Sequence, residues 1–151
     1  MPQSFLFIGM IRQVFPEAKI IHVVRDSAAT CWSIYKTYFS NSNLGFCYDL
    51  NDIVALYKEY EKIMKFWCAD KRGAIRTINY ETFTADKEKQ IRSLIDHLGL
   101  DWDVSCLEPH LNSGSVHIAS MVQVRKPIYK NSSQDWKKYE PKLRKYFAGL
   151  T

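Results

Sequence analysis

The sequence predicts an α/β fold, and three observations carry that reading. Residues 20–24 are an apolar run ending on an arginine, as expected of a strand covered on both faces. Residues 74–79 form a second strand-like run. Between the two lie segments of helical periodicity, and helices separating strands imply parallel pairing through right-handed crossovers. With 151 residues and 46% hydrophobic content, the chain has enough apolar material for one core. Residues 1–151 are therefore read as a single domain.

Taken in order, Ser4 is placed to cap a helix over residues 4–15. Phe5, Ile8, Ile11 and Phe15 lie on one side of it and Phe7, Met10 and Val14 on the other, so it is expected to be buried nearly all round. Pro16 stops it and the first strand follows. Asp26 then opens a second helix over residues 27–39. Ser40-Asn41-Ser42-Asn43 and Gly45 read as a polar loop, after which Asp49 or Asn51 caps a long helix to residue 68. Its stripe of Ile53, Tyr57, Tyr60, Met64 and Trp67 follows helical spacing and belongs to the core. Gly73 precedes the second strand. Asp86 caps a helix with Ile91, Leu94, Ile95 and Leu98 facing inward, and Gly99 supplies a left-handed stop. Residues 101–130 show little periodicity, and Ser113-Gly114-Ser115 and Ser120 fall inside this stretch. Trp136, Tyr139, Leu143 and Phe147 mark one or two closing helices.

The formal charge of +5 favours anionic partners. Most of the basic residues in the last third read as a solvated helix face. Cys31, Cys47, Cys68 and Cys106 are too far apart for a zinc knuckle or a CxxC pair, and suit reduced packing residues of an intracellular protein. His22, His97, His110 and His117 show no paired spacing, so no metal site is expected. No stretch has the length of a membrane span, and no secretory signal is recognisable.

The chemistry concentrates in Ile20-Ile21-His22-Val23-Val24-Arg25-Asp26 and Ser33. A strand ends on a fixed cation, and the next helix begins with free N–H groups and carries a hydroxyl on a small and polar stripe of Ala29, Thr30, Ser33 and Thr37. Such a convergence at the carboxyl end of a strand outlines a phosphate site. The competing structural reading pairs Arg25 with a carboxylate such as Asp26 and bonds Ser33 back to a helical carbonyl.

These residues also carry a resemblance. Phe5-Leu6-Phe7-Ile8-Gly9, then Phe15-Pro16-Glu17-Ala18-Lys19 running into the strand and Arg25-Asp26, with Ser33, resemble the sulfotransferase superfamily. The nearest types are the bacterial members often joined to TPR repeats and the tyrosylprotein sulfotransferases. Asn79-Tyr80-Glu81, Leu98-Gly99-Leu100 before Trp102, Gln123-Val124-Arg125-Lys126-Pro127-Ile128-Tyr129, Trp136 and Tyr139-Glu140 continue the match. The resemblance implies a P-loop-NTPase-like parallel sheet with flanking helices. It also implies transfer of a sulfuryl group from 3′-phosphoadenosine 5′-phosphosulfate (PAPS) to a hydroxyl or amine, leaving adenosine 3′,5′-bisphosphate (PAP).

By the same resemblance Arg25 and Ser33 hold the donor's 3′-phosphate, Tyr80 contacts the adenine, and Arg125 and Lys126 close over the phosphates. Ser120 matches a serine that helps stabilise the transition state. An aromatic face with a polar tip and a planar guanidinium suit those tasks. Departures are Ser27 where the family usually has proline, Ala29 where an acidic residue is common, and Gly114-Ser115 where an arginine often stands. The family places its base and 5′-phosphosulfate loop ahead of the dipeptide matching Met1-Pro2. The chain is therefore expected to be the carboxy-terminal portion of such a domain, without the first strand and glycine loop and inactive by itself, with an amino-terminal half or TPR domain as partner. A bacterial origin would imply a cytoplasmic location. The acceptor, whether tyrosine, carbohydrate or small metabolite, is not specified. The alternatives are a non-catalytic PAP- or PAPS-binding module and, more weakly, a basic nucleic-acid binder.

Overall fold

The computed structural model describes residues 3–39, 42–70, 75–112, 114, 125–127 and 132–150. Mostly helical, it contains a parallel pair of strands, β1 (Ile21–Val24) and β2 (Arg76–Asn79). Ile21 lies opposite Arg76 and Val24 opposite Asn79, so the two strands end level with each other. The expected parallel pairing is present. Among the described residues β1 has a strand on one side only.

The first helix differs from expectation. A 3-10 turn, Ser4–Phe7, leads into α1 (Ile8–Val14); Gln3 occupies the cap position and makes no side-chain capping bond. Phe5 and Ile8 are buried, but Leu6, Phe7, Met10, Val14 and Phe15 are exposed. The helix thus packs through one face, and much of its remaining apolar surface is exposed. Gly9 lets the helix approach its neighbour closely: a Cβ there would stand 3.1 Å from the Trp67 ring. A correction also applies to β1. It is not covered on both faces, because Val23 is 56% exposed.

Asp26 caps α2 (Ser27–Lys36), its carboxylate accepting the Ala29 N–H at 2.6 Å. Of the two candidate caps for the long helix α3 (Leu50–Ala69), Asp49 serves, accepting the N–H groups of Asn51 and Asp52. The aromatic and apolar stripe of α3 behaves as its spacing requires. Ile53, Tyr57 and Met64 are buried, and Tyr60 and Trp67 are half-buried. Two clusters share this helix. Ala28, Cys31, Ile53, Val54 and Tyr57 join Leu143 and Phe147 of the closing helix, while Phe5 and Ile8 pack on Met64.

A short helix absent from the sequence reading, α4 (Tyr80–Ala85), starts directly at the end of β2, capped by Asn79 through the Thr82 N–H. Next comes α5 (Lys87–Leu98), which ends on Gly99 at φ 71° as expected, although Asp86 makes no side-chain capping bond. Lys19 donates to the His97 carbonyl at 2.9 Å and so ties the entrance of β1 to the end of α5. Two short 3-10 turns, Val104–Leu107 and Pro109–Leu111, follow. The chain closes with a 3-10 helix, Ser132–Tyr139, lying against α2, and with α6 (Glu140–Phe147).

Candidate functional site

Level strand ends place Arg25 beside Tyr80. Both are the first residues past their strands, and the guanidinium lies over the tyrosine ring, 5.0 Å from its centroid. Arg25 is further gripped by the closing 3-10 helix. Its Nε donates to Ser133 Oγ at 3.0 Å and its Nη2 to Ser132 Oγ at 3.3 Å. The Tyr80 hydroxyl shares a hydrogen bond with Ser132 Oγ at 3.0 Å. Ser133 in turn donates to Glu81 Oε1, and the same oxygen accepts the Asp26 N–H at 3.2 Å. Five side chains from three distant segments form one connected polar cluster.

Neither half of the competing structural reading of Arg25 and Ser33 holds. Asp26 spends its carboxylate on its own helix cap, and no ion pair to Arg25 exists among the described residues. It is Thr30 and Thr37 that bond back to carbonyls, of Asp26 and Ser33 respectively. The Ser33 hydroxyl, half-buried two turns along α2, has no hydrogen-bond partner among the described residues. Ala29 is buried with its N–H at the cap, which leaves a small side chain where the sulfotransferase pattern often has an acid.

Charge supports the cluster. Burial of the Glu81 carboxyl opposes its ionisation, but the Ser133 hydroxyl, the Asp26 N–H and the Arg25 charge outweigh that and hold its pKa below the ordinary 4.5. Glu81 is thus an acceptor at neutral pH. By contrast, burial and the nearby Glu61 and Asp26 charges push Cys31 up to about 12, so this thiol is packing material. Burial also lowers the pKa of His22, whose Nε2 meets the Tyr60 hydroxyl.

The other expected site residues are not drawn into the cluster. Arg125 and Lys126 are exposed, and Arg125 donates through Nη2 to the Gly114 carbonyl. Ser120 lies outside the described residues. Conversely, Ser132 and Ser133 were missed, and Glu81 was noted only as part of a motif. Two serines opening a helix directly after a basic segment were the available signal, and capping is the ordinary explanation for such residues.

Beside the cluster lies an apolar groove of about 590 Å³. Ile20, Ile21 and Val23 of the β1 segment, Phe5 and Ile8 of the first helical segment, and Ile53, Tyr57 and Met64 of α3 line it, and Arg25 stands at its polar end. Among the described residues no group of His, Cys, Asp and Glu could hold a metal ion, and no helix is long and apolar enough to cross a membrane.

A family model described as the sulfotransferase family matches residues 1–104. An uncharacterized protein of Aquifex aeolicus (strain VF5) is 33% identical over 145 residues, which is 95% of this chain but 19% of the relative. The chain therefore spans about a fifth of that relative's length. The strand, the Arg25-Asp26 turn, the helix bearing Ser33 and the Tyr80-Glu81 pair all fall inside the family match, and the chain belongs to the sulfotransferase family.

Proposed function

We propose that this chain forms the donor-holding part of a sulfotransferase site, in which PAPS is anchored by its 3′-phosphate at Arg25 and a sulfuryl group passes to a hydroxyl or amine acceptor. The observation that carries the reading is the state of Arg25. Its fork is held on one side by neutral hydroxyls and backed by an aromatic ring, and among the described residues no carboxylate neutralises it by direct contact. Among the described residues two of the five guanidinium N–H groups are engaged, which leaves three for an anion. Those residues fit a phosphate.

PAPS, when bound, supplies an activated sulfuryl group on its 5′-phosphate. The chain's own residues bind and orient. Arg25 meets the 3′-phosphate, Ser33 adds a hydroxyl from α2, and Tyr80 offers the adenine an aromatic surface with its hydroxyl fixed by Ser132. Arg125 and Lys126, exposed on the segment before the closing helix, add positive charge over the nucleotide, and Ser120 is assigned to the transferring group. Fixing a donor in this way lowers the barrier by orientation. We place the strand pair in a larger P-loop-NTPase-like sheet, with a strand and its glycine loop along the unpaired edge of β1. The apolar groove on that edge supports the placement, since a further strand there would bury apolar surface and pair the edge. The acceptor is a tyrosine, carbohydrate or small-molecule hydroxyl or amine.

Calorimetry with PAP and with adenosine 5′-phosphate, which lacks the 3′-phosphate, tests the reading. PAP should bind more tightly, and Arg25→Ala should weaken PAP on the order of tenfold to a hundredfold while leaving adenosine 5′-phosphate unchanged. Equal affinity of the wild-type chain for the two nucleotides would sink it. Tight PAP binding without sulfuryl transfer in the whole protein identifies a binding module instead. Affinity for a polynucleotide that falls steeply with salt and ignores Arg25 identifies a nucleic-acid binder.

A further inference from the structure

We infer that Glu81 is a positioning residue for Arg25, acting through Ser133, and that the Ser132-Ser133 pair makes the closing 3-10 helix a wall of the anion site. The inference rests on the reading of Arg25 as the 3′-phosphate anchor.

An arginine side chain has many rotamers, and holding it in one of them costs entropy unless its N–H groups are engaged. Here two adjacent nitrogens of the fork, Nε and Nη2, reach two adjacent hydroxyls. A free serine hydroxyl rotates and fixes nothing. Ser133, however, gives its proton to Glu81 Oε1 at 2.5 Å, which leaves its oxygen as the acceptor that Arg25 Nε needs. Ser132 Oγ is held by its hydrogen bond with the Tyr80 hydroxyl, 3.0 Å away. Both serines are buried, so water does not compete freely for them.

Glu81 also holds the other end of the arginine. Its Oε1 accepts the N–H of Asp26, the residue that follows Arg25 in the chain. One carboxylate oxygen thus fixes the backbone at the root of Arg25 and, one hydroxyl removed, the guanidinium at its tip. The intervening serine has an electrostatic consequence. A carboxylate in direct contact would occupy the fork and offset its charge, whereas a carboxylate behind a hydroxyl orients the fork and leaves three N–H groups for the ligand.

The test uses the full chain with Glu81→Ala, Glu81→Gln and Ser133→Ala. Glu81→Ala and Ser133→Ala should each weaken PAP on the order of tenfold and leave adenosine 5′-phosphate within about twofold, a split that a general loss of structure does not produce. Glu81→Gln retains an acceptor oxygen and should recover most of the PAP affinity. In the same variants, nuclear magnetic resonance of Arg25 Nε–H should report faster exchange after Glu81→Ala and Ser133→Ala, and near-native exchange after Glu81→Gln. Native PAP affinity and native Nε–H exchange in both alanine variants would overturn the inference while leaving the role of Arg25 intact. A wild-type chain that cannot distinguish the two nucleotides overturns the 3′-phosphate reading and the anion site with it.

Discussion

At the carboxyl end of β1, Arg25, Tyr80, Glu81, Ser132 and Ser133 hydrogen-bond and stack on one another; along the same strand, whose far edge is unpaired among the described residues, Ile20, Ile21 and Val23 face a groove walled mainly by apolar side chains. The polar end is closed within the chain and draws on segments more than a hundred residues apart. The groove is open and leaves Val23 and much of α1 in water. One strand therefore separates a region whose order is set by this chain alone from a region with apolar surface still to bury. Open α/β sheets gather their ligand chemistry at strand carboxyl ends, and the cluster sits there.

The largest effect should come from the groove's floor. Ile53 is 1% exposed and packs between α2 and the closing helix, so Ile53→Ala should cost about 2–5 kcal/mol in urea unfolding. A loss below about 1 kcal/mol would mean that the floor is as loose as the rim, and the contrast would fail. A smaller effect, confined to acid, belongs to the polar end. Because the folded-state pKa of Glu81 is lowered, its stabilisation is complete above the ordinary carboxylate value and is lost as pH falls through the lower folded value. Urea midpoints of the wild type should therefore fall more steeply below about pH 4.5 than those of Glu81→Gln. Parallel curves would disconnect Glu81 from folding. The smallest effect is expected at Val23. Thr is a good strand residue, and on an exposed face Val23→Thr should change stability by no more than about 0.5 kcal/mol. A larger loss would show that the face is covered in solution.

Sequence patterning revealed the two regions unequally. The periodic stripe on α3, the Asp26 and Asp49 caps and the left-handed Gly99 were legible because each depends on neighbours in the chain, and the parallel strand pair because helices between two strand-like runs call for it. Arg25 was singled out by the strand that ends on it, and Tyr80 by a family motif. Ser132, Ser133 and the function of Glu81 were not, since their role exists only when segments 52 and 108 residues apart meet. The burial expected of the first helix and of β1 failed for a different reason. Apolar residues on all sides predict that something covers them, but periodicity does not say whether the cover belongs to the same chain.

The level ending of the two strands also determines where the chain tolerates a change of length. Arg25 and Tyr80 meet only because Val24 stands opposite Asn79. One residue added within β2 would carry Tyr80 about 3.3 Å along the strand and turn the following side chains to the opposite face. The same residue added between α2 and α3 would fall in a connection that takes no part in the cluster among the described residues, although Leu44 and Cys47 of its 3-10 helix, Ser42–Tyr48, are buried. Insertions and deletions among related chains should therefore avoid the few residues on either side of the strand ends.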